Sequence, residues 1–382
     1  MSLEKAKKIC MTLVNTYGNK AIDIQGGEPT IYKGIFELIQ FCNEIKLLPT
    51  LITNGIVLDN FDRCKKFKEA GVRDFLFSIH GVGKTYDEIV GVNNANVRQI
   101  NALKNLKKLN IPIRFNCVLS KNVLPELKEI AKIAIEYKTR VVNFIAFNPF
   151  EDQAKQEKRS IVNVPRYTEV TAILTKTLDM LEEAGIETNV RYFPICMVEE
   201  RHRKNIYNFQ QLPYDIHEWD YASWSWTGMK EQRMRDGDTS PIISLDDATV
   251  KPLEYSKSIN YLADQTKKML NPYPRILRTA EKLNRSISSI FQDKQDHGND
   301  LNNLYRLNAK LRAESHCQYQ YSEKCSDCIS KAICDGFHGD YATIFGTEEA
   351  NPISGSTIID NPTYYIKQQE KVVDEKDYEW AF

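Results

Sequence analysis

The stretch Asp23-Ile-Gln-Gly-Gly-Glu-Pro-Thr30 decides how this chain is interpreted, because a short apolar segment stops there at two glycines. Neither glycine has a Cβ, so a ligand can closely approach the backbone N–H and C=O groups of Gly26 and Gly27. Glu28 adds a negative charge beside them, and Pro29 suits the first turn of a following helix. The turn therefore suits a ligand with an ammonium group better than a phosphate, although an ordinary strand-to-helix connection has the same local sequence.

Segments of strand and helix character alternate along the first half of the chain. Apolar and β-branched runs predict six strands, at residues 20–25, 48–53, 74–79, 112–118, 141–147 and 187–192. Helical spacing and glycines at the joins predict helices at residues 3–17, 31–46, 60–70, 96–109, 122–137 and 165–185. This alternation implies parallel strands joined by right-handed crossovers, and the glycine spacing lacks a dinucleotide fingerprint. We therefore predict an α/β protein with a full or partial β/α barrel.

Small or polar residues follow five of the predicted strands. They lie at residues 25–28, 53–55, 78–81, 116–120 and 147–149. Because ligands of β/α barrels bind at the carboxyl ends of the strands, we expect a site lined from several strands.

The charge balance argues against polyanionic partners. The 51 basic and 51 acidic residues cancel, so the composition gives no reason to expect nucleic acid or an anionic membrane as a partner. No segment reaches the roughly 20 apolar residues of a membrane span, and the first residues lack the apolar core of a secretory signal. We therefore expect a cytoplasmic protein.

Four of the nine cysteines form a cluster, at Cys317, Cys325, Cys328 and Cys334. The other five are scattered, mostly in patterns typical of buried side chains, at Cys10, Cys42, Cys64, Cys117 and Cys196. An odd total in a cytoplasmic protein argues against a disulfide framework. Four clustered thiolates suit a 4Fe–4S cluster or a tetrahedral zinc ion, and spacing alone does not separate the two. Cys196 is an alternative to Cys317, and His338 is either a further ligand or an ordinary loop histidine.

Over roughly residues 3–195 the chain resembles the radical SAM enzymes. Gly26, Gly27 and Glu28 are similar to the family's glycine-rich element, which holds the amino group of S-adenosylmethionine. The segments 52–55 and 77–81, with 86–91 after them, look like the next two strand ends. Ser78 and Asn116 are similar to polar positions that face the cofactor's ribose and carboxylate. The resemblance thus implies five cofactor-binding residues: Gly26, Gly27, Glu28, Ser78 and Asn116.

The family's Cys-x3-Cys-x2-Cys triplet, which holds the catalytic iron–sulfur cluster, is absent from this sequence. By element count, the helix at 3–17 corresponds to the family's first helix, so the missing strand and triplet would lie just before Met1. The resemblance therefore implies a partial (β/α)6 TIM-like barrel that lacks its first strand, through a shortened start or a genuine loss. Because the triplet's cluster supplies the electron for cleavage of S-adenosylmethionine, we expect no such cleavage by this chain alone.

The cysteine cluster resembles the auxiliary-cluster extension, called SPASM or twitch, of radical SAM enzymes that modify peptides. This resemblance favours an auxiliary 4Fe–4S cluster held by Cys317, Cys325, Cys328 and Cys334. The implied organisation is a barrel at 1–195, an irregular and helical insertion at 196–316, the cluster module at 317–345 and a tail at 346–382. The aromatic run from Trp219 to Trp226 is either a substrate wall or, as we favour, packing for an irregular segment.

The resemblance leaves two functions open. In its intact form the protein would generate a 5′-deoxyadenosyl radical and modify a peptide or small molecule, with an electron donor such as a flavodoxin or ferredoxin. Alternatively, it is an inactive barrel scaffold with a structural iron–sulfur or zinc site. No catalytic side chain is identified by the sequence, and a zinc-binding β/α protein outside the family is a third interpretation.

Overall fold

The computed structural model describes residues 1–17, 19–147, 161–212 and 317–372, together with the single positions Asp215 and Met269. The aromatic run from Trp219 to Trp226 lies outside the described residues, and so does nearly all of the polar stretch 256–315.

Seven strands form one sheet in chain order, and each neighbouring pair is parallel. They are β1 (Ala21–Ile24), β2 (Leu48–Thr53), β3 (Asp74–Ser78), β4 (Ile113–Leu119), β5 (Val141–Ala146), β6 (Glu187–Arg191) and β7 (Ile206–Tyr207). The strands form a half-barrel, which confirms the predicted α/β class and partial barrel. Each of the six predicted strands is found within one residue of its predicted ends. β7 was not predicted, because two residues are too few to show an alternating pattern.

Eight α-helices accompany the strands in the described part of the chain. They are α1 (Leu3–Tyr17), α2 (Ile35–Glu44), α3 (Phe61–Ala70), α4 (Gly83–Val90), α5 (Ala95–Lys108), α6 (Leu127–Glu136), α7 (Tyr167–Glu183) and α8 (Gly339–Phe345). Two differences from the sequence prediction have local causes. α2 begins later than predicted because Pro29–Ile31 forms a separate 3-10 turn, and α4 was missed because it is short and has a glycine at each end.

One face of the sheet is apolar, and the other carries polar side chains. Phe75, Phe77 and Phe115 alternate along β3 and β4 and belong to the main hydrophobic core with residues of the surrounding helices. Because side chains alternate across a sheet, the intervening residues of these strands, which include Asp74 and Arg114, lie on the concave face of the half-barrel. The polar side chains of the site described below share that face.

A buried ion pair lies on the concave face. Arg114 is 1% exposed, and its Nε and Nη2 atoms each lie 3.1 Å from a carboxylate oxygen of Asp74. Thr50 donates a hydrogen bond of 2.5 Å to the same carboxylate, and Asp23 lies 3.6 Å from Arg114. Burial opposes ionisation of Asp74, but the Arg114 and Arg73 guanidinium groups outweigh it and lower the pKa of Asp74 to about 2.

The cysteine-rich segment and the residues after it pack onto the half-barrel. The rings of Tyr167 at the start of α7 and Tyr341 in α8 stack at 3.7 Å. The hydroxyl oxygen of Tyr341 also accepts a 2.9 Å hydrogen bond from the Tyr167 backbone N–H. Further along, Lys371 forms a 2.8 Å ion pair with Glu187 of β6. Elements far apart in sequence are therefore joined around β6 and α7.

Candidate functional site at the carboxyl ends of the strands

The glycine turn after β1 is open on one side. Gly26 and Gly27 have φ angles of +109° and +54°, which residues other than glycine rarely adopt. A Cβ added at either position would meet no heavy atom within 4 Å. Glycine is thus required here by the backbone conformation, and the space beside it is available to a ligand.

Glu28 is tied to the protein rather than presented freely. Its Oε1 accepts hydrogen bonds from Thr30 N–H at 3.0 Å, the Thr30 hydroxyl at 2.5 Å and the Thr53 hydroxyl at 2.7 Å. Its Oε2 accepts one from Asn54 N–H at 3.0 Å. The carboxylate therefore fixes the glycine turn to the end of β2, a positioning role that the sequence analysis did not foresee.

Ser78 and Asn116 lie directly opposite each other on β3 and β4. Paired residues of parallel strands point to the same face, so both side chains face the concave side at the same level. Both residues are half-buried. Asn116 Oδ1 accepts a 3.0 Å hydrogen bond from the Nδ2 of Asn143 on β5. The structure thus brings together two of the predicted residues, and the third element, the glycine turn, follows β1 of the same sheet.

Gln99 and Tyr86 are two side chains that the sequence did not single out as a pair. They bind backbone carbonyl oxygens at the ends of β2 and β3. Gln99 of α5 donates to the carbonyl oxygens of Asn54 at 2.8 Å and Ser78 at 3.1 Å. Tyr86 of α4 donates to the Asn54 carbonyl at 3.0 Å. Tyr86 lies in the 86–91 segment noted for its resemblance, but a glutamine within a helix carries no sequence signal.

Four cysteines line one pocket, which we call the cysteine pocket: Cys196, Cys325, Cys328 and Cys334. The Cys328 and Cys334 sulfurs each accept a 3.4 Å hydrogen bond from a backbone N–H, of Ile353 and Gly336 respectively. Cys317 is not among the residues that line this pocket. It packs instead beside Phe209 and Tyr319. The structure therefore places the alternative residue, Cys196, with the three closely spaced cysteines.

The thiols of the cysteine pocket are not arranged around a common point. Within the described segments, no group of three or more cysteine, histidine or acidic side chains has a geometry that would hold a metal ion. Desolvation raises the pKa of Cys196, Cys325 and Cys334, so metal binding would have to displace a proton from each. The donor set itself fits a four-thiolate site, provided that the side chains turn toward one centre.

His338 caps a helix outside the cysteine pocket. Its Nδ1 accepts a 3.1 Å hydrogen bond from Asp340 N–H at the start of α8, and its ring packs edge-on against Tyr319. Burial lowers the pKa of His338 to about 4. This arrangement supports the ordinary structural interpretation of His338 over that of a metal ligand.

Comparison with known proteins finds similarity over the first part of the chain. Residues 1–134 match the family model described as the radical SAM superfamily. One relative, the PqqA peptide cyclase of Bradyrhizobium diazoefficiens, is 26% identical over 137 residues, which are 36% of this chain and 36% of that protein. Another, the AdoMet-dependent heme synthase of Oleidesulfovibrio alaskensis, is 25% identical over 171 residues, or 44% of this chain and 43% of the relative.

The similarity spans well under half of the length of these radical SAM relatives. Among solved structures, SuiB of Streptococcus suis bound to the precursor peptide SuiA aligns with a TM-score of 0.43 and 20% identity. That alignment covers 50% of this chain and 42% of SuiB. The family-model match covers less than half of the chain, and it does not identify a reaction or a substrate.

The radical SAM segment contains no Cys-x3-Cys-x2-Cys triplet. Its four cysteines, at positions 10, 42, 64 and 117, are all buried, as their apolar patterns predicted. The sulfurs of Cys10 and Cys42 lie 3.7 Å apart between α1 and α2. None of these four cysteines is spaced as the triplet requires. No helix in the described segments has the length and apolar character needed to cross a bilayer.

Proposed function

We propose that this chain binds S-adenosylmethionine at the carboxyl ends of β1 to β4 and holds an auxiliary iron–sulfur cluster in the cysteine pocket. In its intact form the protein would belong to a radical SAM enzyme that modifies a peptide or small molecule. The observation that carries the proposal is the open glycine turn, fixed by Glu28, on the same sheet edge as the paired Ser78 and Asn116.

Each site residue has a distinct part in this proposal. Backbone carbonyl groups of Gly26 and Gly27 accept hydrogen bonds from the ammonium group of the cofactor's methionine moiety. Glu28 keeps the turn in its open conformation through its four hydrogen bonds to Thr30, Thr53 and Asn54. Ser78 and Asn116 supply polar contacts to the ribose and carboxylate.

S-adenosylmethionine supplies a 5′-deoxyadenosyl radical when a reduced catalytic cluster is also present. Because this sequence lacks that cluster's cysteines, the residues described here account for cofactor binding and not for the electron. We assign the electron to a donor such as a flavodoxin or ferredoxin acting on the intact enzyme. The division into a barrel at 1–195, an insertion at 196–316, a cluster module at 317–345 and a tail at 346–382 belongs to the same proposal.

For the auxiliary cluster we propose the ligand set Cys196, Cys325, Cys328 and Cys334. This set differs from the one favoured by spacing, because Cys196 lines the pocket with the other three and Cys317 does not. Backbone N–H groups already directed at two of the sulfurs would stabilise thiolates, as they do in iron–sulfur sites.

Cofactor binding is tested by isothermal titration of the full chain with S-adenosylmethionine. Gly27→Ala should raise Kd about tenfold or more, because the added Cβ enters the open space beside the turn. Gly91→Ala is the matched control. Gly91 also has a positive φ, +69°, and open space around it, but it ends α4 outside the turn. No affinity of the wild-type chain for S-adenosylmethionine would defeat the proposal.

Metal binding is tested by iron, zinc and acid-labile sulfide analysis after anaerobic reconstitution. We expect one cluster per chain, lost in Cys196→Ser and in Cys325→Ser but retained in Cys317→Ser. Loss in Cys317→Ser with retention in Cys196→Ser would restore the set favoured by spacing. A colourless, iron-free product would refute the auxiliary cluster.

A catalytically inactive scaffold is the second candidate, favoured by the absent cysteine triplet. Such a scaffold binds S-adenosylmethionine without cleaving it and holds iron–sulfur or zinc for structural reasons. Genomic sequence upstream of the codon for Met1 separates the two candidates: an in-frame Cys-x3-Cys-x2-Cys there would exclude the scaffold, and its absence would support it.

A further inference from the structure

Three asparagines lie side by side across the concave face. The strand register pairs Asn116 of β4 with Asn143 of β5, and Asn143 with Asn189 of β6. Asn189 Nδ2 donates to Asn143 Oδ1 at 3.2 Å, and Asn143 Nδ2 donates to Asn116 Oδ1 at 3.0 Å. Both Asn143 and Asn189 are fully buried. We call this row of side chains the asparagine ladder.

Glu187 fixes the direction of the ladder. Its carboxylate is paired with Lys371 at 2.8 Å and accepts a 2.9 Å hydrogen bond from Val372 N–H. An ionised carboxylate only accepts hydrogen bonds, so the amide nitrogen of Asn189, 3.4 Å from Glu187 Oε1, has to face it. In that orientation the same nitrogen donates to Asn143 Oδ1, and the oxygen of Asn189 faces away from both Glu187 and Asn143.

The C-terminal segment completes the ladder at that oxygen. Gln369 Nε2 donates to Asn189 Oδ1 at 3.2 Å, and the Tyr207 hydroxyl donates to Gln369 Oε1 at 2.8 Å. From Tyr207 to Asn116, each side chain thus donates to the next in one direction. Aligned hydrogen bonds of this kind polarise one another, which favours a single orientation of every amide.

The ladder ends at Asn116 with the oxygen occupied and the nitrogen available. No described residue accepts a hydrogen bond from Asn116 Nδ2. Its neighbour across the strand pair is Ser78, at the edge where the glycine turn opens. An amide held in this way directs its N–H groups, rather than its oxygen, toward a ligand on that side.

We propose that Asn143 and Asn189 are positioning residues that turn the N–H2 group of Asn116 toward the cofactor. The ladder thereby selects a hydrogen-bond acceptor, the carboxylate or a ribose oxygen of S-adenosylmethionine, at that point of the site. This inference rests on the proposed function, in which Asn116 contacts the cofactor. It also makes the docking of residues 369–372 against β6 a condition for the orientation of Asn116.

The test reverses the direction of the hydrogen bond between residues 143 and 116 while each side chain of the ladder keeps a partner. In Asn143→Asp the new carboxylate only accepts, so Asn189 still donates to it, and Asn116 has to turn its nitrogen away from the cofactor. Titration of the full chain with S-adenosylmethionine should show Kd raised about tenfold, as expected when a hydrogen-bonding ligand group loses its partner. In the Asn116→Ala background the same change should raise Kd less than about twofold, because the residue through which it acts is gone.

The double mutant distinguishes the loss of Asn116 orientation from a direct effect of the added negative charge on binding. An effect of the added negative charge alone would persist in the Asn116→Ala background, so an equal cost in both backgrounds overturns the inference. Unchanged affinity in Asn143→Asp, with a clear loss in Asn116→Ala, overturns it as well. In both cases the proposed function survives. By contrast, wild-type protein that does not bind, or binding that Asn116→Ala leaves unchanged, refutes the role of Asn116 itself and with it the inference.

Two further variants guard against misfolding. If Asn143→Asp does not fold, Asn143→Leu has nearly the same shape and removes the donor to Asn116. It should raise Kd about threefold in the wild-type background only, and an equal rise in both backgrounds counts against the ladder. Asn105→Asp is the matched control, because Asn105 donates to the Leu58 and Asp59 carbonyls on the helical side. It should lower the melting temperature without changing Kd.

Discussion

Replacing Asp74 with asparagine should destabilise the protein by about 3 kcal/mol, because it leaves Arg114 charged and almost without solvent contact. The low pKa of Asp74, about 2 against an ordinary 3.8, corresponds to ~2 kcal/mol of stabilisation of the carboxylate. Breaking a buried ion pair by removing one partner costs roughly 3–5 kcal/mol. Asp23, 3.6 Å from Arg114 and one-third exposed, offsets part of that loss.

Urea unfolding followed by circular dichroism measures the effect. The control is Glu129→Gln, which breaks an exposed pair with Lys132 at 2.8 Å and should cost less than about 0.5 kcal/mol. The double variant Asp74→Leu with Arg114→Met should recover to within about 1 kcal/mol of the wild type, since apolar replacement of a whole buried pair is often neutral. A double variant as unstable as Asp74→Asn would refute the explanation by an uncompensated charge.

The same pair predicts a pH dependence. The pKa of Asp74 is lower in the folded protein than in the unfolded chain, so the unfolded chain binds its proton first as the pH falls. The stabilisation is therefore complete above about pH 4 and is lost between about pH 4 and pH 2. In Asp74→Asn the free energy of unfolding should fall less steeply over this range, and an unchanged slope would contradict the assignment.

Two further predictions concern a glycine and a histidine near the site. Gly55→Ala should cost at least about 2 kcal/mol in urea unfolding, since its φ is +78° and the added Cβ would lie 2.1 Å from the Phe77 ring. Gly91→Ala, with similar φ but open space, should cost only about 1 kcal/mol, and equal losses would exclude the collision as the cause. Burial lowers the pKa of His80 to about 4, so its ring resonances in NMR should not titrate near pH 6.5. As the pH falls from about 6.5 to 4, the unfolded chain gains this proton first, so the folded protein becomes less stable. A titration of the His80 ring resonances with its midpoint near pH 6.5 would disprove the burial.

Most of the sheet was predictable because most of its strands are short runs rich in apolar or β-branched residues. The pattern is local, and it located six strands and the helices between them. The alternation also predicted parallel neighbours, since short crossovers allow little else. β7 and α4 were missed because a two-residue strand and a helix of one or two turns carry too few residues for a period to show.

The candidate site was predictable only where its residues lie at or near the end of a predicted strand. Gly26 lies just after β1, and Asn116 falls in the predicted strand-end segment 116–120, although β4 continues to Leu119. Asn143 and Asn189 are recognised as part of the site only through the strand register that aligns them with Asn116. The choice between Cys317 and Cys196 shows the same limit. Spacing favours the cysteine that is close in sequence, but the path of the chain after β6 brings Cys196 to the pocket.

The pairing of Glu187 with the end of the described chain has a consequence for biosynthesis. Val372 lies 185 residues after Glu187, so a ribosome working at 5–20 residues per second needs roughly 10–40 s to deliver it. During that interval the nascent polypeptide exposes a sixth strand whose carboxylate has no counterion from this segment. A stop codon before the codon for Gln369 would make that interval permanent, and the product would be a substrate for chaperones and proteases rather than a slightly shorter protein.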